Sequence, residues 1–167
     1  MGSSYKVLAI GVMAFLMFGA GMAYYGYATA IYPLDRALGN LARAESAQSP
    51  VELADYVYAA KKDLPDQGNP VWSFPTPRTD FGLIQEELDR IMSRANSISS
   101  VEPNGSAYNT GMSDMHLSLD SRQENLIEAM PYMYVSTTNM AMSAVWIAVI
   151  MGIFAVMRRG RSQYREV

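Results

Sequence analysis

Two uninterrupted apolar runs, one at each end of the chain, limit what it can fold into more than any other feature. Between Lys6 and Asp35 lies VLAIGVMAFLMFGAGMAYYGYATAIYPL, about 28 residues without a charge, against roughly 20 that carry a helix across a bilayer. From Ala129 to Met157 a second run stays uncharged over about 29 residues, with its spanning portion at 136–157. A small soluble domain has little room to bury helices of that length, so the pattern predicts two transmembrane helices, the first at 7–32. A cleaved secretory signal has a shorter apolar core and a small-residue cleavage site. Here bulky Tyr24, Tyr25, Tyr27 and Tyr32 crowd the far end of the run, which reads as an uncleaved signal anchor. The opening MGSS lacks the Ser/Thr that myristoylation wants at the sixth position, which is Lys6.

Basic residues flank both runs on the outside. Arg158, Arg159, Arg161 and Arg165 fill the tail at 158–167, and Lys6 lies in the tail at 1–6, so retention of positive flanks predicts that both termini are cytoplasmic in a multi-pass protein of the cell membrane. The segment 33–135 holds about 15 acidic and 8 basic residues and is expected on the extracytoplasmic side.

That segment reads as helices joined by loops. Leu34, Leu38 and Leu41 keep helical spacing over about 34–47, continuing the first span past Pro33. In SPVELADYVYAAKKDLP, Ser49 as N-cap, Pro50 at the first helical position and Glu52 three residues after the serine make a capping box. Leu53, Val57, Ala60 and Leu64 form its buried stripe, and Pro65 ends it. The Pro-rich loop 65–79 carries Trp72 and Phe74, which either fold back on the domain or are presented to a partner. After Asp80 as N-cap, Phe81, Ile84, Leu88, Ile91, Ala95 and Ile98 recur at three- and four-residue steps, a bundle seam, with Glu86 and Arg90 paired on the outer side. Tyr108, Met112, Met115, Leu119, Leu126, Ala129 and Met133 repeat the spacing, interrupted by Arg122, in a helix expected to be broken near Asp120 and bent at Pro131. The expected fold is therefore an all-α membrane protein: two transmembrane helices bracketing an extracytoplasmic antiparallel helical bundle.

Several chemistries are excluded by residue type. The chain has no cysteine, which removes disulfides, thiolate metal sites and a cysteine nucleophile. His116 is the single histidine, so one copy cannot build a multi-histidine metal centre. A serine nucleophile has no elbow motif and no base but His116. Glycine-rich phosphate loops and Glu-x-x-His pairs are missing, and Glu86, Glu87 and Asp89 sit beside Arg90 and Arg94 as a solvated face. With a net charge of −3 and no basic patch interleaved with aromatics, nucleic acid is not an expected partner. No enzymatic activity is expected of the chain alone.

In GMSDMHLS, Met112, Met115 and His116 lie within about one helical turn, and thioether plus imidazole suits Cu(I). The same methionines lie on the core stripe, so packing is the favoured reading. Asn104 opens NGS, an N-glycosylation acceptor pattern in an exterior loop. Within the spans, Gly19, Ala23, Gly26 and Ala30 form one small-residue stripe and Ala141, Ala144, Ala148 and Gly152 another, each suited to close approach of a second helix. The stripes either pack the two spans together or face other integral membrane subunits. Methionines add adaptable apolar surface.

These features converge on a non-catalytic accessory subunit of a larger membrane complex, embedded in the lipid bilayer. Two other readings compete: an extracytoplasmic four-helix ligand-binding or sensor module acting through a partner, and a copper-handling membrane protein. The stretch NPVWSFPTPRTDFGLIQEELDRI, with the two spans, the cysteine-free acidic exterior and the methionine content, resembles the small helical accessory subunits of archaeal ammonia monooxygenase, a copper-dependent membrane enzyme. The resemblance carries over no functional residue. It implies that copper belongs to other subunits of the complex and that this chain has a structural or organising role.

Overall fold

A computed structural model describes residues 2–103 and 105–163, and every regular element among them is helical. Helix α1 runs over Gly2–Gly26, α2 over Tyr32–Glu45, α3 over Pro50–Asp63, α4 over Phe81–Ile98, α5 over Ser106–Tyr134 and α6 over Thr137–Gln163. Residues up to Gly26 and from Val135 onward form one compact unit; Tyr27–Tyr134 forms the other. The last turns of the first apolar run, from Tyr27 on, belong to the bundle unit.

The cause of that division is local. Pro33 has no N–H for the carbonyl four residues back, and its ring crowds that carbonyl. A π-helical turn over Tyr27–Ile31 widens the helix just before it, and α2 resumes with Pro33 in its first turn. Helix α2 thus begins two residues earlier than its leucine spacing indicates and ends at Glu45 instead of 47.

In the bundle unit each expected stripe turns inward. Leu34, Leu41, Leu53, Val57, Leu64, Phe81, Ile84, Leu88, Ile91, Ala95, Met115, Leu119 and Leu126 are all buried in one cluster. Helices α2 to α5 pack in sequence, with α5 closing back against α2. Side-chain links fix their directions. Arg36 Nε lies 3.3 Å from Asp63, tying the start of α2 to the end of α3; Lys61 pairs with Asp89, tying that end of α3 to the first half of α4. Gln123 donates to Glu45 at 2.7 Å, so the middle of α5 is level with the end of α2. Neighbouring helices therefore run antiparallel, and the chain enters at Tyr27 and leaves at Tyr134 at the same end of the bundle.

Caps and stops follow the sequence closely. Ser49 accepts from the Glu52 N–H at 3.2 Å and Asp80 from the Leu83 N–H at 3.1 Å, interactions worth about 1 kcal/mol each. The return arm of the capping box differs: the Glu52 carboxylate accepts from the N–H of Gln48, one residue before the cap, at 3.3 Å. Leu64 is extended, as a residue preceding proline must be, and α3 stops there. Arg90 bonds both Glu86 and Glu87 at 2.6 Å, and with all three half-exposed the network adds a few tenths of a kcal/mol.

Helix α5 corrects one expectation. It is continuous through Asp120, because Met115, Leu119, Leu126 and Ala129 are all buried and hold the helix on the core on both sides of that residue. Arg122, which interrupts the stripe, is half-buried and donates to Ser121 Oγ at 3.0 Å. The break comes past Pro131, at Val135 and Ser136, where Ser136 Oγ accepts from the Asn139 N–H at 3.3 Å and opens α6.

In the other unit, α1 and α6 belong to stretches long and apolar enough to cross a membrane. Their large side chains are turned outward: Phe18 is 66% exposed and Phe154 65%. In water, burying each such side chain is worth about 1.5–3 kcal/mol, so a surface of this kind calls for an apolar surrounding.

Candidate functional site

Two surfaces carry the residues singled out by sequence, one in each unit. On the paired apolar helices, Trp146 of α6 is the point of contact. Its ring stands edge-on to Phe15, with centroids 4.4 Å apart, and covers Gly19. A Cβ at position 19 would overlap the far edge of the indole, so a larger residue there must displace the ring. Gly26 is also buried, with Asn139 Oδ1 3.3 Å from where its Cβ would be. Ala23, by contrast, is exposed and Ala30 half-buried. The first stripe is thus split: Gly19 and Gly26 meet α6, and what Gly19 admits is a tryptophan ring.

The second stripe faces the other way. Ala141, Ala144, Ala148 and Gly152 are all exposed, and among the described residues nothing lies within 4 Å of a Cβ built on Gly152. Trp146 and Asn139 supply the contacts with α1, at Phe15, Gly19 and Gly26, and Met142 between them is half-buried. Gly19→Leu is expected to displace the Trp146 ring and cost about 1–3 kcal/mol. Gly21→Leu, where a Cβ meets nothing within 4 Å, should cost nothing by the same measure. Thermal unfolding of the full chain in mild detergent, followed in the near-ultraviolet tryptophan band, checks the difference.

The second surface is the loop between α3 and α4. Trp72 is 62% and Phe74 83% exposed, so these rings do not fold back on the domain, while Val71 between Pro70 and Trp72 is buried. A polar clamp that the sequence reading missed holds the loop. Asn69 donates from Nδ2 to the Thr76 carbonyl at 2.7 Å, and its Oδ1 accepts from the Val71 N–H at 3.0 Å and from Thr79 Oγ1 at 3.0 Å. Gly68, at φ +105°, takes a backbone conformation that suits glycine, and its carbonyl accepts from the Phe81 N–H at 2.9 Å. Gln85 bridges back to the carbonyls of Lys61, Leu64 and Pro65 at 3.1–3.3 Å. The available signal was the Gly-Asn-Pro turn at 68–70, a pattern in which Asn bonds backbone two residues on.

Met112 and Met115 are buried in the bundle core, where they pack among the apolar side chains. His116 is half-buried, with Nε2 shielded from solvent and lacking a hydrogen-bond partner among the described residues. Among those residues no group of three or more His, Asp or Glu is placed to hold a metal ion. Ser93, Arg94, Ser97, Ile98, Gly111 and Asp114 line an open groove between α4 and α5. Asn104 and the side chains of Lys6, Arg158, Arg159, Arg161 and Arg165 lie outside the described residues.

No family model, curated protein or solved structure matches this chain.

Proposed function

We propose that the chain is a two-span, non-catalytic accessory subunit of a larger membrane complex, with 33–135 on the extracytoplasmic side and both termini in the cytoplasm. The observation that carries this reading is the orientation of α6. Its contacts with α1 are made by Trp146 on Phe15 and Gly19 and by Asn139 near Gly26, and the stripe of Ala141, Ala144, Ala148 and Gly152 is left exposed. Small residues let helix backbones approach closely in lipid, where dispersion and weak hydrogen bonds drive association, so that face fits a helix of another integral membrane subunit.

Several further features support the same role. The outward apolar side chains of α1 and α6 suit hydrocarbon, and the basic flanks with an acidic middle suit the stated topology. The bundle interior is filled with Leu, Ile, Val and Met, the composition of a spacer or brace. The resemblance of NPVWSFPTPRTDFGLIQEELDRI and its surroundings to accessory subunits of archaeal ammonia monooxygenase makes that copper enzyme the proposed complex. In that role the copper and the chemistry belong to the partner subunits, and this chain organises them.

Gentle extraction of native membranes followed by native electrophoresis and mass spectrometry of the co-migrating band tests the proposal. The expected result is a stable assembly with other integral membrane proteins. It should dissociate when Ala144 and Ala148 are both replaced by Phe. A wild-type chain that runs alone as a monomer removes the proposal.

A further inference from the structure

We infer that the base of the bundle docks on the lipid surface itself, with Trp72 and Phe74 seated at the boundary between headgroups and acyl chains. This inference rests on the two-span reading above and adds to it a second, interfacial contact made by the loop at 65–79.

The starting observation is where the exposed aromatic rings of the bundle unit lie. Tyr27, Tyr32, Tyr58, Trp72, Phe74 and Tyr134 are all exposed. Tyr27, Tyr32 and Tyr134 belong to the end at which the chain enters and leaves. The loop carrying Trp72 and Phe74 is at that end too. Asp63, the last residue of α3, pairs with Arg36 in the second turn of α2, and Gln85 joins the carbonyls of Leu64 and Pro65 to the start of α4. The turn Pro77–Thr79 then packs against α5, as does the turn Tyr27–Ile31. Five of the six rings therefore gather at one end, with only Tyr58 in the middle of α3, and a random scatter over the bundle surface is not what is seen.

Helices α1 and α6, each part of a stretch long and apolar enough to cross a membrane, adjoin this end directly in sequence, through Gly26 and Val135. If they are in hydrocarbon, the end holding Tyr27 and Tyr134 is within a residue or two of the interface. Trp and Tyr favour that depth because a flat apolar body meets the acyl chains while the N–H or O–H stays with the headgroups.

The loop is built to hold its rings out. The Asn69 amide closes 70–75 at its base, Val71 is tucked inside, and Pro70 and Pro75 restrict the backbone on either side of the exposed pair. Arg78, exposed on the next turn, offers a guanidinium at phosphate depth. A loop so constrained loses little conformational entropy on seating, and lipid gives Trp72 and Phe74 the apolar cover that the bundle does not.

The test uses the full-length chain in phosphatidylcholine vesicles containing lipids brominated either near the glycerol end or near the middle of the acyl chain. Trp146→Phe leaves Trp72 as the sole tryptophan, and Trp72→Phe leaves Trp146. Trp146 is expected to be quenched by mid-chain bromine, and Trp72 to lose about half its emission to bromine near the glycerol end, with less loss to the mid-chain lipid. Quenching of Trp146 together with bromine-insensitive, acrylamide-accessible Trp72 overturns the inference while leaving the spans in place; the loop then faces water or a partner protein. Failure to quench Trp146 removes the two-span reading and this inference with it. Because the chain has no cysteine, a nitroxide at Phe74→Cys gives a second readout that leaves both tryptophans unchanged. Greater collision with oxygen than with an aqueous nickel chelate is expected there, and the reverse for Tyr58→Cys; equal preference for the aqueous chelate at both sites overturns the inference.

Discussion

Replacing two outward apolar residues, Phe18→Arg with Ile147→Arg, is expected to release the full chain from the membrane fraction. Both side chains lie near the middle of their apolar runs and both are exposed, so neither substitution disturbs the contact between Trp146 and Gly19. On the insertion scale a phenylalanine or isoleucine at mid-span is worth a few tenths of a kcal/mol in favour and an arginine about 2.5–3.5 against, so each helix loses roughly 3 kcal/mol, on the order of 100-fold in its insertion equilibrium. Alkaline extraction followed by ultracentrifugation reads the result, with the variant in the supernatant and the native chain in the pellet. The control pair Leu83→Arg and Ile127→Arg changes apolar residues of the bundle that are 45% and 59% exposed and should stay in the pellet. If both pairs behave alike, the apolar ends are not in lipid.

Leu88→Ala is expected to lower the stability of the bundle by about 2–5 kcal/mol, the range for emptying a fully buried leucine site. Leu88 has no exposed surface and sits between Ile84 and Ile91 on the face of α4 that meets the common core. The loss is large against a total of about 5–15 kcal/mol for a domain. It should appear as faster amide exchange across 81–98 in the full chain in mild detergent, by about 30-fold or more at the lower bound of that range. Leu83→Ala, on the outer side of the same helix and 45% exposed, should remain within about 0.5 kcal/mol of the native chain. Equal effects at the two sites would mean that α4 is not packed as described.

The contrast between these leucines was already legible in the chain. Phe81, Ile84, Leu88, Ile91, Ala95 and Ile98 were assigned to one face by period alone; the first five are buried and Ile98 packs half-buried at the end of the same face. Caps were equally plain, since Ser49 and Asp80 act through their own side chains on N–H groups three residues away. The halt before Pro65 needs nothing beyond the steric demand of proline on the residue before it.

Other features were not legible because they depend on residues distant in sequence. Asp120 looked like a break in a helix, yet packing on α4 and α2 on either side keeps α5 intact. Pro131 announced a bend without its form, and Pro33 was read as passed by a continuing helix; a π-helical turn precedes Pro33, and the bundle unit begins there at Tyr27. Met112 and Met115 read as core first and as copper ligands second, and both lie buried in the cluster. Asn69 drew no notice at all, because its partners Thr76 and Thr79 meet it only once the loop has closed.

By itself the sequence determined what each segment is: which stretches are apolar enough for lipid, which residues start and stop helices, and which side of each bundle helix is dry. Those properties follow from spacing along one helix and from side chains acting on backbone a few residues away. Only the tertiary structure decided which way the small residues of α6 point and that Trp72 and Phe74 stand outside the core. Gly19 and Gly152 look alike in a chain, and what distinguishes them is that a ring from another helix covers the first and, among the described residues, nothing covers the second.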